Sequence, residues 1–142
     1  MKRACVADVE IIRTSHLWPE AISMEVEILP KDDRLIAVPA LIYLHFLRFL
    51  CFETANDNIM KMESLSNLSA ISYDDEHNGR SFLSCNIIGI CHQRVGQYPE
   101  AVDMFCKGAK AGMDLDWMNE CLNPGFIRLG IVLNRAFRNS HE

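Results

Sequence analysis

Apolar residues recur at helical spacing through most of the chain, and a few polar or proline-bearing stretches interrupt them. The spacing predicts a helix over about 3–14 and a second opening at Trp18-Pro19-Glu20-Ala21 and running to about Leu29. After the break at Leu29-Pro30-Lys31-Asp32-Asp33, a strongly apolar block covers about 36–53, and its partner runs from near Asn56-Asp57 to about Ser72. The polar segment Tyr73–Arg80 contains Asn78-Gly79 and reads as a loop. A third block covers about 81–95, with a partner over about 99–111 that ends at Gly112. An irregular connector from Met113 leads to Pro124 and a last helix over about 125–138. Sustained period-two alternation is missing, so no sheet is expected. The expectation is an all-α chain of about seven helices.

Repetition strengthens this reading. Trp18-Pro19-Glu20-Ala21-Ile22-Ser23-Met24 and Tyr98-Pro99-Glu100-Ala101-Val102-Asp103-Met104 match as aromatic-Pro-Glu-Ala-β-branched-x-Met. Their separation fits two units of about forty residues, a size typical of stacked helical hairpins. Within the second copy, Gly96 is placed to take the left-handed conformation that ends a helix. Pro99 then opens the next helix, where the first N–H groups have no intrahelical partner, and Glu100 sits where the helix dipole favours an anion. Ala101 and Phe105 lie one turn apart on one face, as do Ile88 and His92 upstream, and Gly89 leaves room for a neighbouring helix. The stretch from Gly89 to Phe105 therefore predicts a helical hairpin.

Composition narrows the function classes. The chain has 142 residues, 49% of them apolar, which suffices for one compact domain over 1–142. A net charge of −5 with no Lys/Arg cluster argues against nucleic acid or anionic lipid as a partner. The run Ile36–Phe52 is short for a membrane span and contains Pro39, His45 and Arg48; a mid-helix Arg alone costs about 2.5–3.5 kcal/mol on insertion. A buried helix is expected there and no membrane partner. The six cysteines, Cys5, Cys51, Cys85, Cys91, Cys106 and Cys121, form no C-x-x-C pair and read as reduced core residues, which favours a cytoplasmic or nuclear protein.

Candidate chemistry is sparse. Cys91 and His92 are adjacent, so on a helix they point about 100° apart and do not face each other as nucleophile and base. The cluster Asp74-Asp75-Glu76-His77 lacks the ligand spacing and turn glycine of a calcium loop. His45 and Arg48, three apart on an apolar helix, mark a polar seam or a side chain reaching for the surface. The sequence holds no phosphate-binding loop, zinc-protease or nucleophile-elbow motif. The reading is that of a non-enzyme with no catalytic, cofactor-binding or metal-binding residue.

The hairpin resembles the tetratricopeptide repeat (TPR), whose pattern is W-x-x-L-G-x-x-Y followed by A-x-x-x-F. Cys85, Ile88-Gly89, His92, Ala101 and Phe105 keep every spacing, with Gly96 and Tyr98 at the turn; cysteine replaces the tryptophan and histidine the tyrosine. The last helix repeats the opening half as Phe126, Leu129-Gly130 and Leu133. The likeness is clearest over 81–112 and 124–138. It implies antiparallel hairpins stacked as a short right-handed superhelix, an α-solenoid, with units of about 1–30, 36–72 and 81–112 and a terminal helix over 124–138.

It also implies a concave groove lined by the first helix of each unit. By phase from Ile88-Gly89, the groove residues are Asn86, Ile90, Gln93 and Arg94, then Ile127, Ile131, Asn134 and Arg135. Leu83, Ile87 and Ile90 stand around Asn86 with no lysine, so the groove suits a peptide or helix rather than a terminal carboxylate. The last helix carries Phe126, Ile127, Leu129, Ile131, Val132, Leu133, Ala136 and Phe137 on more than one face, which predicts self-association or a partner there. The expected role is a protein–protein interaction module, an adaptor or scaffold subunit of a larger assembly. The rival readings are a small cysteine-dependent or metal-assisted helical enzyme and a regulatory domain that senses a ligand or peptide.

Overall fold

A computed structural model of the chain describes residues 8–12, 18–29, 35–74, 82–115, 118 and 120–140. The protein is predominantly helical, with six α-helices among these residues. It divides into two compact units, Met1–Asn78 and Gly79–Glu142, with the boundary inside the polar stretch at 73–80.

The first unit overturns one expectation. Strand β1 (Asp8–Ile12) pairs antiparallel with β2 (Leu35–Pro39), Val9 opposite Val38 and Glu10 opposite Ala37. Residues 8–12 therefore do not form the expected helix, and the block at 36–53 begins as a strand. The cause is visible in the side chains. Asp8 and Glu10 are exposed while Val9 and Ile11 turn inward, an alternation with the period of a pleated strand. Trp18-Pro19 leads into a 3₁₀ turn (Glu20–Ile22) and a short helix α1 (Ser23–Glu27), so the expected helix at 18–29 is shorter and tighter than its pattern suggests.

Pro39 ends β2 and stands at the N-cap of α2 (Ala40–Thr54), where its missing N–H costs no hydrogen bond. Ile42, Phe46 and Phe49 recur at helical spacing on the buried face of α2, and Leu65 and Leu68 are buried on α3 (Asn58–Asp74). Ile11, Ile22, Val26, Leu29 and Val38 complete the core of this unit.

The second unit packs α4 (Phe82–Arg94), α5 (Tyr98–Met113) and α6 (Pro124–Ser140). Small residues set its spacing. A Cβ on Gly89 would lie 2.6 Å from Cε1 of Phe105, so the Phe105 ring rests directly on the backbone of α4. Gly108 of α5 leaves room for Asn86 and Cys85, and Gly125 of α6 lies against the backbone of Ala109. Asn123, fully buried, caps α6: its Oδ1 accepts from the Gly125 N–H at 3.0 Å and its Nδ2 donates to the Ala109 carbonyl at 2.9 Å. A Cβ on Gly112 would sit 2.9 Å from that Nδ2. One side chain thus caps a helix and ties it to its neighbour.

The two helical hairpins turn alike. In α4–α5, the Gln97 N–H donates to the His92 carbonyl and the Gly96 N–H to that of Gln93, with Gly96 at φ 79°. In α2–α3 the same pair of bonds runs from Asp57 to Phe52 and from Asn56 to Glu53, with Asn56 at φ 58°. Both are Schellman closures around one left-handed residue, forty positions apart. Asp57 Oδ1 then accepts from the Met60 N–H at 3.1 Å and starts α3. At the same offset, Phe49 stands where Gly89 does and Leu65 where Phe105 does, all but the glycine contributing large apolar groups to the core. At these matched positions the phenylalanine sits on the first helix of one hairpin and on the second helix of the other.

Candidate interaction surface

The expected groove residues separate into two sets. Asn86 is 0% and Ile90 4% exposed, so neither faces a guest, and the expectation that they line an open groove is corrected. Asn86 packs onto Gly108 of α5 instead. The physical reason is the character of α4, every residue of which is buried from Phe82 to His92. A helix apolar around its whole circumference has no solvent face to offer. Further along, Gln93 is half-buried and Arg94 exposed.

On α6 the expectation fares differently. Ile127, Ile131, Asn134 and Arg135 are all exposed. On a helical wheel they span about 100° of one side. Phe126, Leu133 and Phe137 are exposed as well, and Gly130 between them has open space where a Cβ would stand. Gly89 and Gly130 hold equivalent places in the expected repeat pattern, yet the first receives a phenylalanine ring and the second, among the described residues, no neighbour within 4 Å of a built Cβ. Val132 and Gly125 face inward and anchor α6 to α5. The first unit carries its own exposed apolar residues, Leu41, Leu44 and Leu47 on α2 with Ile59 and Met62 on α3. The run Ile36–Phe52 predicts a buried helix; within α2 the buried residues are those of the Ile42-Phe46-Phe49 face.

The remaining signature residues are structural. Nδ1 of His92 lies 2.7 Å from Oε1 of Gln97 and, carrying its proton, donates to it, which ties the end of α4 to the turn. Ala101 and Phe105 are buried; Tyr98 and Leu129 are half-buried. Gly130 is exposed.

Cys85 and Cys91 are buried, and desolvation pushes the Cys85 thiol up to about 11, with Lys107 pulling slightly down and Asp103 slightly up. Cys51 and Cys121 are exposed rather than in the core, and Cys5 lies outside the described residues. Burial first and Arg48 second hold His45 below its usual value. Arg48 lies over the Phe52 ring, 5.7 Å from its centroid, a cation–π contact. Asp74 ends α3, and Asp75, Glu76 and His77 lie outside the described residues. Among the described residues no cluster of three or more His, Cys, Asp or Glu could hold a metal ion, and no helix is long and apolar enough to cross a membrane.

No known protein family matches the chain, and neither a curated protein nor a solved structure does.

Proposed function

We propose that the protein is a non-enzymatic interaction module that takes a peptide or helix of a partner, as an adaptor or as a subunit of a larger assembly. The TPR-like reading, with hairpins stacked as a right-handed solenoid, is part of this proposal. Support for it comes from the matched turns of the two hairpins and from the ring of Phe105 seated on Gly89.

The observation that carries the functional reading is the exposure of Ile127 and Ile131 beside Asn134 and Arg135 on α6. Apolar groups supply the contact area, and the amide and guanidinium fix the orientation of a backbone or an acidic side chain. Gln93 and Arg94, at the end of α4, are the accessible α4 members of the expected groove. The binding site lies on α6, not along α4. A protein in the cytoplasm or nucleus fits this role.

The test is site-specific photocrosslinking from position 131 in cells, with the exposed position Glu63 as control. A defined set of partners attached at 131 and not at 63, and lost in the Ile127→Asp variant, is the expected outcome. Equal capture from both positions refutes the proposal.

A further inference from the structure

A second face of α6 has a spacing that reads the same from either end. Phe126 and Gly130 are four apart, Gly130 and Leu133 three, and Leu133 and Phe137 four. At about 100° per residue these four lie within about 60° of one another. Phe126 is 44%, Leu133 49% and Phe137 66% exposed, and Gly130 meets no atom within 4 Å. We infer that this stripe is the contact of a homodimer, in which α6 of a second copy packs antiparallel across it with Phe126 opposite Phe137 and Gly130 opposite Leu133.

Fit, charge and area select this occupant. The first is fit. In the antiparallel register a leucine covers each glycine, as Phe105 covers Gly89 within the second unit. A parallel pair would set glycine on glycine and leave a gap. The antiparallel pair is also isologous, so it closes with two copies, and its helix dipoles oppose.

The second argument is charge. Helix α6 carries Arg128, Arg135 and Arg138 and no acid. All three lie about 100° or more around the helix from the stripe. Two copies therefore meet without bringing like charges together, and an acidic partner on this stripe would find no base to pair with. The third is area. The three side chains expose on the order of 300 Å² of apolar surface per copy. With a polar rim, a pair buries roughly 1,000–1,200 Å², the low end of specific interfaces.

The stripe is a different face from the one bearing Ile127 and Ile131, so dimerisation and partner capture are read separately. The experiment is light scattering coupled to size-exclusion chromatography on the full chain across a concentration series. The parent chain should be dimeric at high micromolar concentration. Leu133→Glu and Gly130→Lys should each weaken the dimer on the order of a hundredfold, since each change enters the interface twice. Mixing the two variants should restore a dimer, because the glutamate of one copy then faces the lysine of the other. Both positions are exposed, and an unchanged circular dichroism melt verifies that each variant folds. A parent chain that stays monomeric, a dimer indifferent to Leu133→Glu, or a mixture that stays monomeric overturns the inference.

Discussion

Replacing Gly89 with alanine tests the packing of the second unit at its tightest point. A Cβ there would lie 2.6, 2.8 and 3.1 Å from Cε1, Cδ1 and Cζ of Phe105. Carbon atoms pack at about 3.5–4.0 Å, so the ring must retreat by about 1 Å along its whole edge. Phe105 is fully buried, so its retreat presses on the side chains around it. Overpacking of this kind costs about 1–3 kcal/mol, against about 1 kcal/mol gained from exchanging a helical glycine for alanine. The net expectation is a loss of about 1–2 kcal/mol. Phe105→Leu alone should cost a similar amount by leaving a void. Combined, the two should cost less than the sum by about 1 kcal/mol, because the shorter side chain vacates the space the new methyl needs. Gly130→Ala is the matched control. In the single chain it sits in open space on α6, so at concentrations where the chain is monomeric the change should stabilise by up to about 1 kcal/mol. Urea unfolding followed by circular dichroism reads all four variants from the midpoint at constant slope. Additive losses, or a Gly89→Ala variant as stable as the parent, would refute the account of close helix approach.

Two further outcomes follow from the buried polar and thiol groups. Asn123→Ala removes both the cap of α6 and the bond to the Ala109 carbonyl and should cost about 2–3 kcal/mol in the same urea assay; Asn123→Asp, which keeps the acceptor for the Gly125 N–H but sets a buried carboxylate oxygen against the Ala109 carbonyl, should cost at least as much. Native-state alkylation at neutral pH, read by mass spectrometry, should label the exposed Cys51 and Cys121 and spare Cys85 and Cys91. The Cys85 thiol is raised to about 11 from a usual value of 9.0, so the folded state favours its neutral form; that contribution to stability is complete below pH 9 and is lost as pH climbs towards and past 11.

Much of the helical part of this fold was legible in the residues. Gly96 and Pro99 mark the turn into α5 within a residue or two, and the apolar periods of α3 and α6 match their observed spans, whereas the block expected over 36–53 is helical only from Ala40. The strands were missed because Asp8-Val9-Glu10-Ile11 alternates over the minimum length that signals a strand, and the partner Leu35–Pro39 merges into an apolar helix without a polar break. The groove assignment went astray at α4 because phase was taken from Ile88-Gly89 alone. The stretch Phe82–Cys91 is apolar or small on every side except Asn86, a composition that itself signals complete burial. The lock at Asn123 also had a signal, an asparagine directly before a proline at the start of a helix. Its second bond, to Ala109, had none, since no local pattern encodes a contact between α5 and α6.

The reversed placement of bulk in the two hairpins sets the grain at which this chain can be rearranged. Grafting α2 in place of α4 would press Phe49 against Phe105, and the reciprocal graft would leave Gly89 facing Leu65 across a hollow. Transplanting a helix together with the partner it faces avoids both collisions, because the closing turns at Asn56 and Gly96 share one geometry. Recombination in this molecule should therefore succeed by whole hairpins and fail by single helices.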